Sequence, residues 1–207
     1  MANLMAKRKS LVDTMMRDAI YEGAVAVLAE HGLNGATMDR VAAAAGVAKG
    51  SLYNYFRSKD ELLTFVHEKT IQPLLEASQQ IAANQMTAAD KLSAMVRNWR
   101  GYVGEHRATF QMLIKNSACE GVLHEATLRN NRVVVDLLAG VIAEGIAAGE
   151  FRRVNAQYAG EMLLTAAKGM LEAEFAEGVP RSDEETIDTL ISVFLRGLCT
   201  DDRAPGG

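Results

Sequence analysis

The chain is poor in residues that interrupt helices and in residues that staple folds. Three prolines in 207 residues leave long stretches free of the side chain that removes a backbone donor and clashes with the preceding turn. Ala, Leu, Met and Glu scattered through those stretches favour helix. Two cysteines, Cys119 and Cys199, lie far apart with no His or Cys at metal-ligand spacing. They read as reduced thiols packed like small apolar groups, in preference to a redox sensor. No apolar run approaches the roughly 18 residues that span a bilayer. The opening MANLMAKRKS has basic residues but no apolar core after them, unlike a secretory signal. The expectation is a cytoplasmic, all-α protein with no cofactor, no metal and no membrane partner.

The signatures of common chemistries are missing as well. There is no H-E-x-x-H for zinc, no G-x-x-x-x-G-K-[ST] for nucleotide phosphates and no G-x-S-x-G elbow. Glu120 and His124 stand four apart, not at the three-residue spacing of a di-iron site, and read as one exposed helical pair. His31, His67, His106 and His124 read as ordinary polar residues. The chain is expected not to be an enzyme.

Net charge is −4, which at first argues against a nucleic-acid partner, but the charge is unevenly spread. Residues 1–70 hold nine Lys+Arg and eight Asp+Glu, or +1, and residues 71–207 hold thirteen and eighteen, or −5. Lys7, Arg8 and Lys9 form one basic cluster, and Lys49, Arg57 and Lys59 another. Local charge decides attraction to phosphate, because the Debye length is about 8 Å.

About nine helices follow from the spacing of apolar residues. Residues 1–10 read as a flexible arm that could reach a DNA backbone or minor groove, or as a plain disordered terminus; 200–207 read as a disordered tail. A first helix from about Leu11 to His31 places Val12, Met16, Ala19, Gly23 and Val27 on one face. Gly32 ends it, and Thr37 caps a second helix with Asp39 at the positive end of its dipole. Gly46 makes a turn into a third helix from Ala48 to Phe56. Ser58 with Glu61 three residues on forms a capping box for a fourth, which Pro73 is expected to kink or break near Gln72. Further helices are expected at Ala88–His106, Arg107–Ser117, Leu123–Ala148, Asn155–Glu177 and Asp183–Thr200. The turns at Gly149 and at Gly178-Val179-Pro180 separate the last three.

The stretch Ala36–Leu63 carries the function. Ala42, Ala45, Gly46, Val47, Leu52 and Phe56 have packing reasons to be what they are. Lys49, Ser51, Tyr53 and Asn54 have none, and all can meet a phosphate or a base edge. Gly50 permits close backbone approach. Two short helices with a polar tip on the second are a helix-turn-helix.

At Thr37-Met38-Asp39-Arg40-Val41-Ala42, Ala45-Gly46-Val47, Lys49-Gly50-Ser51-Leu52-Tyr53-Asn54-Tyr55-Phe56 and Ser58-Lys59-Asp60-Glu61-Leu62-Leu63 the sequence resembles the TetR family of bacterial transcriptional regulators. The match covers about residues 11–65; beyond it, only length and helix pattern agree. The resemblance implies a homodimeric repressor on a palindromic double-stranded operator, released by a small, largely hydrophobic effector of unknown identity. It assigns phosphate contacts to Thr37, Tyr53 and Lys59, and groove contacts to Lys49, Gly50, Ser51 and Asn54. Two departures from the family pattern stand out: Ala48 where Ser or Thr is usual, which removes a helix cap, and Asn54 where His is common.

The expected divisions are 1–57 for the arm and DNA-binding domain, 58–199 for an effector-binding and dimerisation domain, and 200–207 for the tail. Small and apolar residues on the last two helices, Met162, Ala166, Met170, Ile187, Ile191, Phe194 and Leu198, are the expected dimer interface, in a four-helix bundle with a second copy. Phe65, Met95, Trp99, Tyr102, Phe110 and Met112, with Met86 nearby, are the expected effector lining. His106 and Arg107 would orient a polar or anionic end. Two rival readings remain: a DNA-binding protein without an effector, as for a nucleoid or cell-division factor, and a helical ligand-binding protein or enzyme.

Overall fold

The computed structural model describes residues 2–117, 122–179 and 181–199. Among them nine helices appear: α1 Ala2–Gly35, α2 Met38–Ala44, α3 Lys49–Tyr55, α4 Lys59–Ala82, α5 Ala88–Glu105, α6 Arg107–Ser117, α7 Val122–Ala147, α8 Ala156–Glu177 and α9 Asp183–Leu198. The fold is all-α, as expected, apart from one isolated antiparallel bridge between Phe151 and Cys199. Cys119, Glu120, Pro180 and the expected tail lie outside the described residues.

The chain separates into two compact units. Met1–Ile71 and Ala108–Ala126 supply one, Gln72–Arg107 and Thr127–Gly207 the other. The first thus takes in more than the 1–57 expected from sequence, because Leu62, Leu63 and Val66 of α4, with Met112, Leu113 and Leu123, join the same apolar cluster as Ile20, Val27 and Leu28 of α1, Val41 of α2 and Leu52 of α3. Gly23 lets α1 and α2 meet: a Cβ there would lie 2.6 Å from the Ala45 backbone nitrogen. Within α1 the chain kinks at Gly32, φ 66°, a region where only glycine is comfortable.

Three expectations about α1 and α4 are corrected. Residues 2–10 are not an irregular arm but the first turns of α1; they contain no Gly or Pro and consist largely of strong helix formers. Val12, expected on the packing face, is exposed there, and burial on α1 begins at Ile20. Pro73 does not break α4, which is one helix from Lys59 to Ala82. Proline forfeits a single i→i−4 bond, and burial of Val66 and Leu74 on either side of it holds the helix. The hydroxyls of Thr70 and Ser78 each donate back to the carbonyl four residues earlier at 2.8 Å.

The second unit buries Leu92, Met95 and Val96 of α5, Leu138, Val141 and Ile142 of α7, Leu163 and Ala167 of α8, and Ile187, Leu190 and Leu198 of α9. Gly145 makes room for the Phe151 ring, which a Cβ would meet at 2.4 Å. Inside this unit is an ionic cluster. Glu174 of α8, only 1% exposed, accepts from Arg100 of α5 at 2.8 Å and from Arg107. The Arg100 Nε also reaches Asp183 of α9 at 2.6 Å. Burial pushes the Glu174 carboxyl upward, but hydrogen bonds from Arg107 and Arg100 outweigh it and leave the group below its ordinary value. On α5, buried Lys91 is held by both oxygens of Glu144 at 2.8 Å. The Glu150 carboxylate accepts the Ala88 N–H at 2.9 Å and so caps the start of α5.

Glu174→Gln leaves two arginines facing a neutral amide. Breaking a buried ion pair from one side costs about 3–5 kcal/mol, so thermal unfolding of the variant should fall well below that of the parent. Because the folded carboxyl titrates below its unfolded value, its contribution is present above about pH 4.3 and lost as pH falls further. The variant should lack that acid-dependent step.

Candidate DNA interface

The interface is built from α2, the turn after it and α3. Thr37 caps α2 by accepting the Arg40 N–H at 3.3 Å, and Asp39 stands in its first turn. The chain turns at Gly46, φ 67°, with the Val47 N–H bonded to the Ala42 carbonyl at 2.9 Å. α3 then starts at Lys49. Its N-cap, Ala48, is extended and offers no side-chain bond, so the cap expected to be missing is missing.

Only Leu52 of α3 is buried. Phe56, just past the helix end, is buried too and stacks on Phe65 with ring centroids 4.9 Å apart. Arg17 of α1 lies over the Tyr55 and Phe56 rings at 5.5 and 5.7 Å. The Tyr55 phenol is held above its ordinary value by burial and by its hydrogen bond to Asp13. These contacts fix the roll of α3, leaving Lys49, Gly50, Tyr53 and Asn54 exposed and Ser51 half-buried. Space is open where a Gly50 Cβ would stand, so packing within the protein does not require glycine at this position.

Two of the cations assigned to DNA have protein partners. Lys49 Nζ lies 2.7 Å from Asp39 Oδ1 and 3.0 Å from Oδ2, with both side chains mostly exposed. The ammonium is held above its ordinary value, chiefly by the hydrogen bond to Asp39. Lys59 donates to the Leu33 carbonyl, and Arg40 Nη1 to the Gly35 carbonyl at 2.6 Å; both cap the end of α1. Sequence reasoning read Asp39 as a dipole partner of α2 and missed its role toward Lys49. Ten positions separate the two, and only the turn at Gly46 joins them. Lys7, Arg8 and Lys9 are exposed on α1, one to two turns before the Asp13 that meets Tyr55.

The candidate effector residues divide between the two units. Phe65 and Met112 pack with the core of the first, and Phe110 is buried there. Met95 and Trp99 belong to the core of the second, where the Tyr102 ring stacks against His106 at 4.3 Å. Met86 is exposed between α4 and α5. Arg107 is committed to Glu174 and to the Phe175 face at 4.8 Å, which accounts for its charge. One polar group was missed: the Asn98 amide nitrogen on α5 is buried with no partner among the described residues.

The candidate dimer residues also divide. Ile187 and Leu198 are buried inside the subunit. Met170, Ile191 and Phe194 are half-buried; Met162 and Ala166 are exposed. Tyr158 and Val193, which sequence reasoning passed over, are 64% and 70% exposed. Among the described residues no group of His, Cys, Asp and Glu could hold a metal, and no helix is long and apolar enough to cross a membrane.

Two family models match the chain. The family model for bacterial regulatory proteins, tetR family, matches residues 20–64, and that for the Tetracyclin repressor-like, C-terminal domain matches 85–198. The fatty acid metabolism regulator protein of Bacillus subtilis (strain 168) is 26% identical over 136 residues, 64% of this chain and 69% of that protein. Two solved structures share the fold. The transcriptional regulator FadR from Bacillus subtilis in complex with stearoyl-CoA has a TM-score of 0.77 at 20% identity, covering 86% of this chain and 97% of that one. The SmeT–triclosan complex has a TM-score of 0.81 at 22% identity, covering 93% and 96%; SmeT is the repressor of the Stenotrophomonas maltophilia multidrug efflux pump SmeDEF.

Ala48→Ser supplies the absent cap of α3. Such a change is worth about 1 kcal/mol where the geometry suits it, and the extended backbone of Ala48, φ −65° and ψ 143°, does suit it. Chemical denaturation should show a gain of that order; an unchanged midpoint would mean that α3 does not limit the stability of its unit.

Proposed function

The chain belongs to the TetR family of bacterial transcriptional regulators, and we propose that it is a homodimeric repressor released from a palindromic operator by a small, largely hydrophobic effector. The observation that carries the DNA reading is the partition of α3: Leu52 inside, and Lys49, Gly50, Tyr53 and Asn54 outside. Asn and Lys can bond base edges in the major groove, while hydroxyls and backbone N–H groups position the helix on phosphates. Thr37, Tyr53 and the two donors that Lys59 keeps after bonding Leu33 are the proposed phosphate contacts. Ser51 joins Lys49, Gly50 and Asn54 toward the groove.

Two such tips have to be paired for a palindrome. The proposed pairing surface is the exposed side of α8 and α9, with Tyr158, Met162, Ala166 and Val193 at its centre and Met170, Ile191 and Phe194 along its edge. Ile187 and Leu198 support it from within.

The effector reading rests on α5. Met95, Trp99 and Tyr102 are soft or aromatic, and the unpartnered Asn98 amide donor shares their helix. A buried donor without an acceptor is costly, and a carbonyl or carboxyl oxygen of an effector would satisfy it. The stearoyl-CoA held by the FadR relative makes a fatty acyl thioester the first class to test. Hundredfold release requires the effector to favour one state by about 2.7 kcal/mol, within the usual range of allosteric coupling. Pro73 stands directly after the division between the two units at Ile71 and Gln72, the position proposed for a hinge.

The test combines two readouts on the full-length protein. A duplex is first selected from a randomised pool by the protein; its anisotropy and Trp99 emission are then followed while stearoyl-CoA or triclosan is added. Release of the duplex with a change in emission is expected. Asn98→Leu should weaken the response at least fivefold with DNA affinity unchanged, and Pro73→Ala should bind DNA but release it poorly. If neither ligand moves either signal, the rival regulator without an effector is favoured. A Pro73→Ala protein that responds normally removes the hinge.

A further inference from the structure

The Asp39–Lys49 pair has no evident use in holding the fold. Both side chains are mostly exposed, at 64% and 60%, and exposed pairs contribute little to stability. Asp39 is nevertheless the only carboxylate between Glu30 and Asp60, a stretch that also contains Arg40, Lys49, Arg57 and Lys59. That single acid is set against the cation that opens α3, with both oxygens within 3.0 Å of Nζ. Arg40 and Lys59 are tied to the Gly35 and Leu33 carbonyls instead, so among the described residues Lys49 is the cation of this tip that carries a counter-charge.

We propose that Asp39 is a specificity-determining positioning residue: it holds Lys49 for a base edge and cancels its pull on the phosphate backbone. This rests on the DNA reading above. A free lysine is a point charge that any phosphate attracts, and each neutralised phosphate releases counterions whatever the sequence. A lysine clamped by a carboxylate is a nearly neutral pair at that distance. An ammonium carries three N–H donors; with Asp39 engaged, those left point away from the carboxylate in a fixed direction. Guanine, which offers O6 and N7 acceptors in the major groove, matches such a donor. The lone pairs left on Asp39 can in turn accept the N4 amino group of cytosine. Non-specific DNA, whose phosphates offer only acceptors, repels Asp39 and gains little from Lys49.

Asp39→Asn keeps the size and removes the charge. The experiment compares the parent and variant full-length proteins on two duplexes: the one the parent selects from a randomised pool, and a scrambled duplex of equal length, both titrated by anisotropy at several salt concentrations. For the scrambled duplex, the slope of log affinity against log salt should steepen by about 0.9 per subunit, one phosphate each. Affinity for it should rise, and the selected-to-scrambled ratio should fall at least fivefold, with the melting temperature lowered only slightly by the loss of a charge from the first turn of α2. Asp39→Glu should restore most of the ratio. In a Lys49→Met background, Asp39→Asn should change the ratio by less than half as much, leaving only what Asp39 contributes by itself to cytosine and against phosphate.

An unchanged ratio and slope, or equal tightening on both duplexes, would overturn the inference. The same holds for a full effect persisting without Lys49. A parent protein that enriches no sequence at all would overturn the DNA reading itself, and this inference with it, and is recognised before any variant is made.

Discussion

Everything exposed on the α3 tip depends on one buried leucine and on a phenylalanine four residues later. α3 is seven residues long, far below the roughly 12–15 residues at which an isolated helix becomes even marginal in water. It has no side-chain cap either. Its conformation is therefore imposed from outside, by Leu52 and Phe56 seated against α1, α2 and α4. With Tyr55 held by Arg17 and Asp13, that arrangement leaves Gly50, Tyr53 and Asn54 free of structural duty. Gly23, Gly46 and the carbonyl bonds of Arg40 and Lys59 serve the same end, since each fixes how α2 and α3 stand on α1.

The second unit is held by a different means. Its core is ordinary apolar packing, but Glu174 between Arg100 and Arg107 ties α8 to α5 and to the first residue of α6, and Arg100 extends the cluster to Asp183 of α9. Buried ion pairs stabilise little in net terms, yet their geometric demands are strict. The cluster also disposes of Arg107 as a ready anion site, because its charge is already spoken for. Among the described residues of this unit, the Asn98 amide nitrogen is buried without a hydrogen-bond partner, and Tyr158, Met162 and Val193 are among the large apolar side chains left exposed.

The fold was largely legible in the sequence because its signals are local. Gly32, Gly46, Gly149 and Gly178 all take positive φ where helices were expected to end or turn, and Thr37, Thr87, Asn155 and Ser182 each cap a helix. The capping box at Ser58 formed with a one-residue shift: Ser58 accepts the Glu61 N–H at 3.2 Å, but the Glu61 carboxylate takes the Arg57 N–H at 2.7 Å. The expected break at Pro73 and the expected arm at residues 2–10 did not form because a breaker and a polar terminus carry only average tendencies, which burial on either side and strong helix formers override. The site was half legible. Periodicity separates Leu52 and Phe56 from Lys49, Tyr53 and Asn54. It cannot reveal that Lys49 meets Asp39, that Phe65 and Met95 belong to different units, or that Ile187 turns inward while Val193 turns outward. Those facts depend on contacts between helices far apart in sequence.

The central claim is that paired α3 helices read the major groove. Methylation interference at guanine N7 on a duplex selected by the protein tests it directly, since N7 lies on the major-groove edge. Two clusters of interfering guanines, related by a palindrome and centred about one helical turn or a multiple of it apart, are the predicted result. Interference confined to methylated adenine N3, on the minor-groove edge, or a single unpaired cluster, would contradict the account.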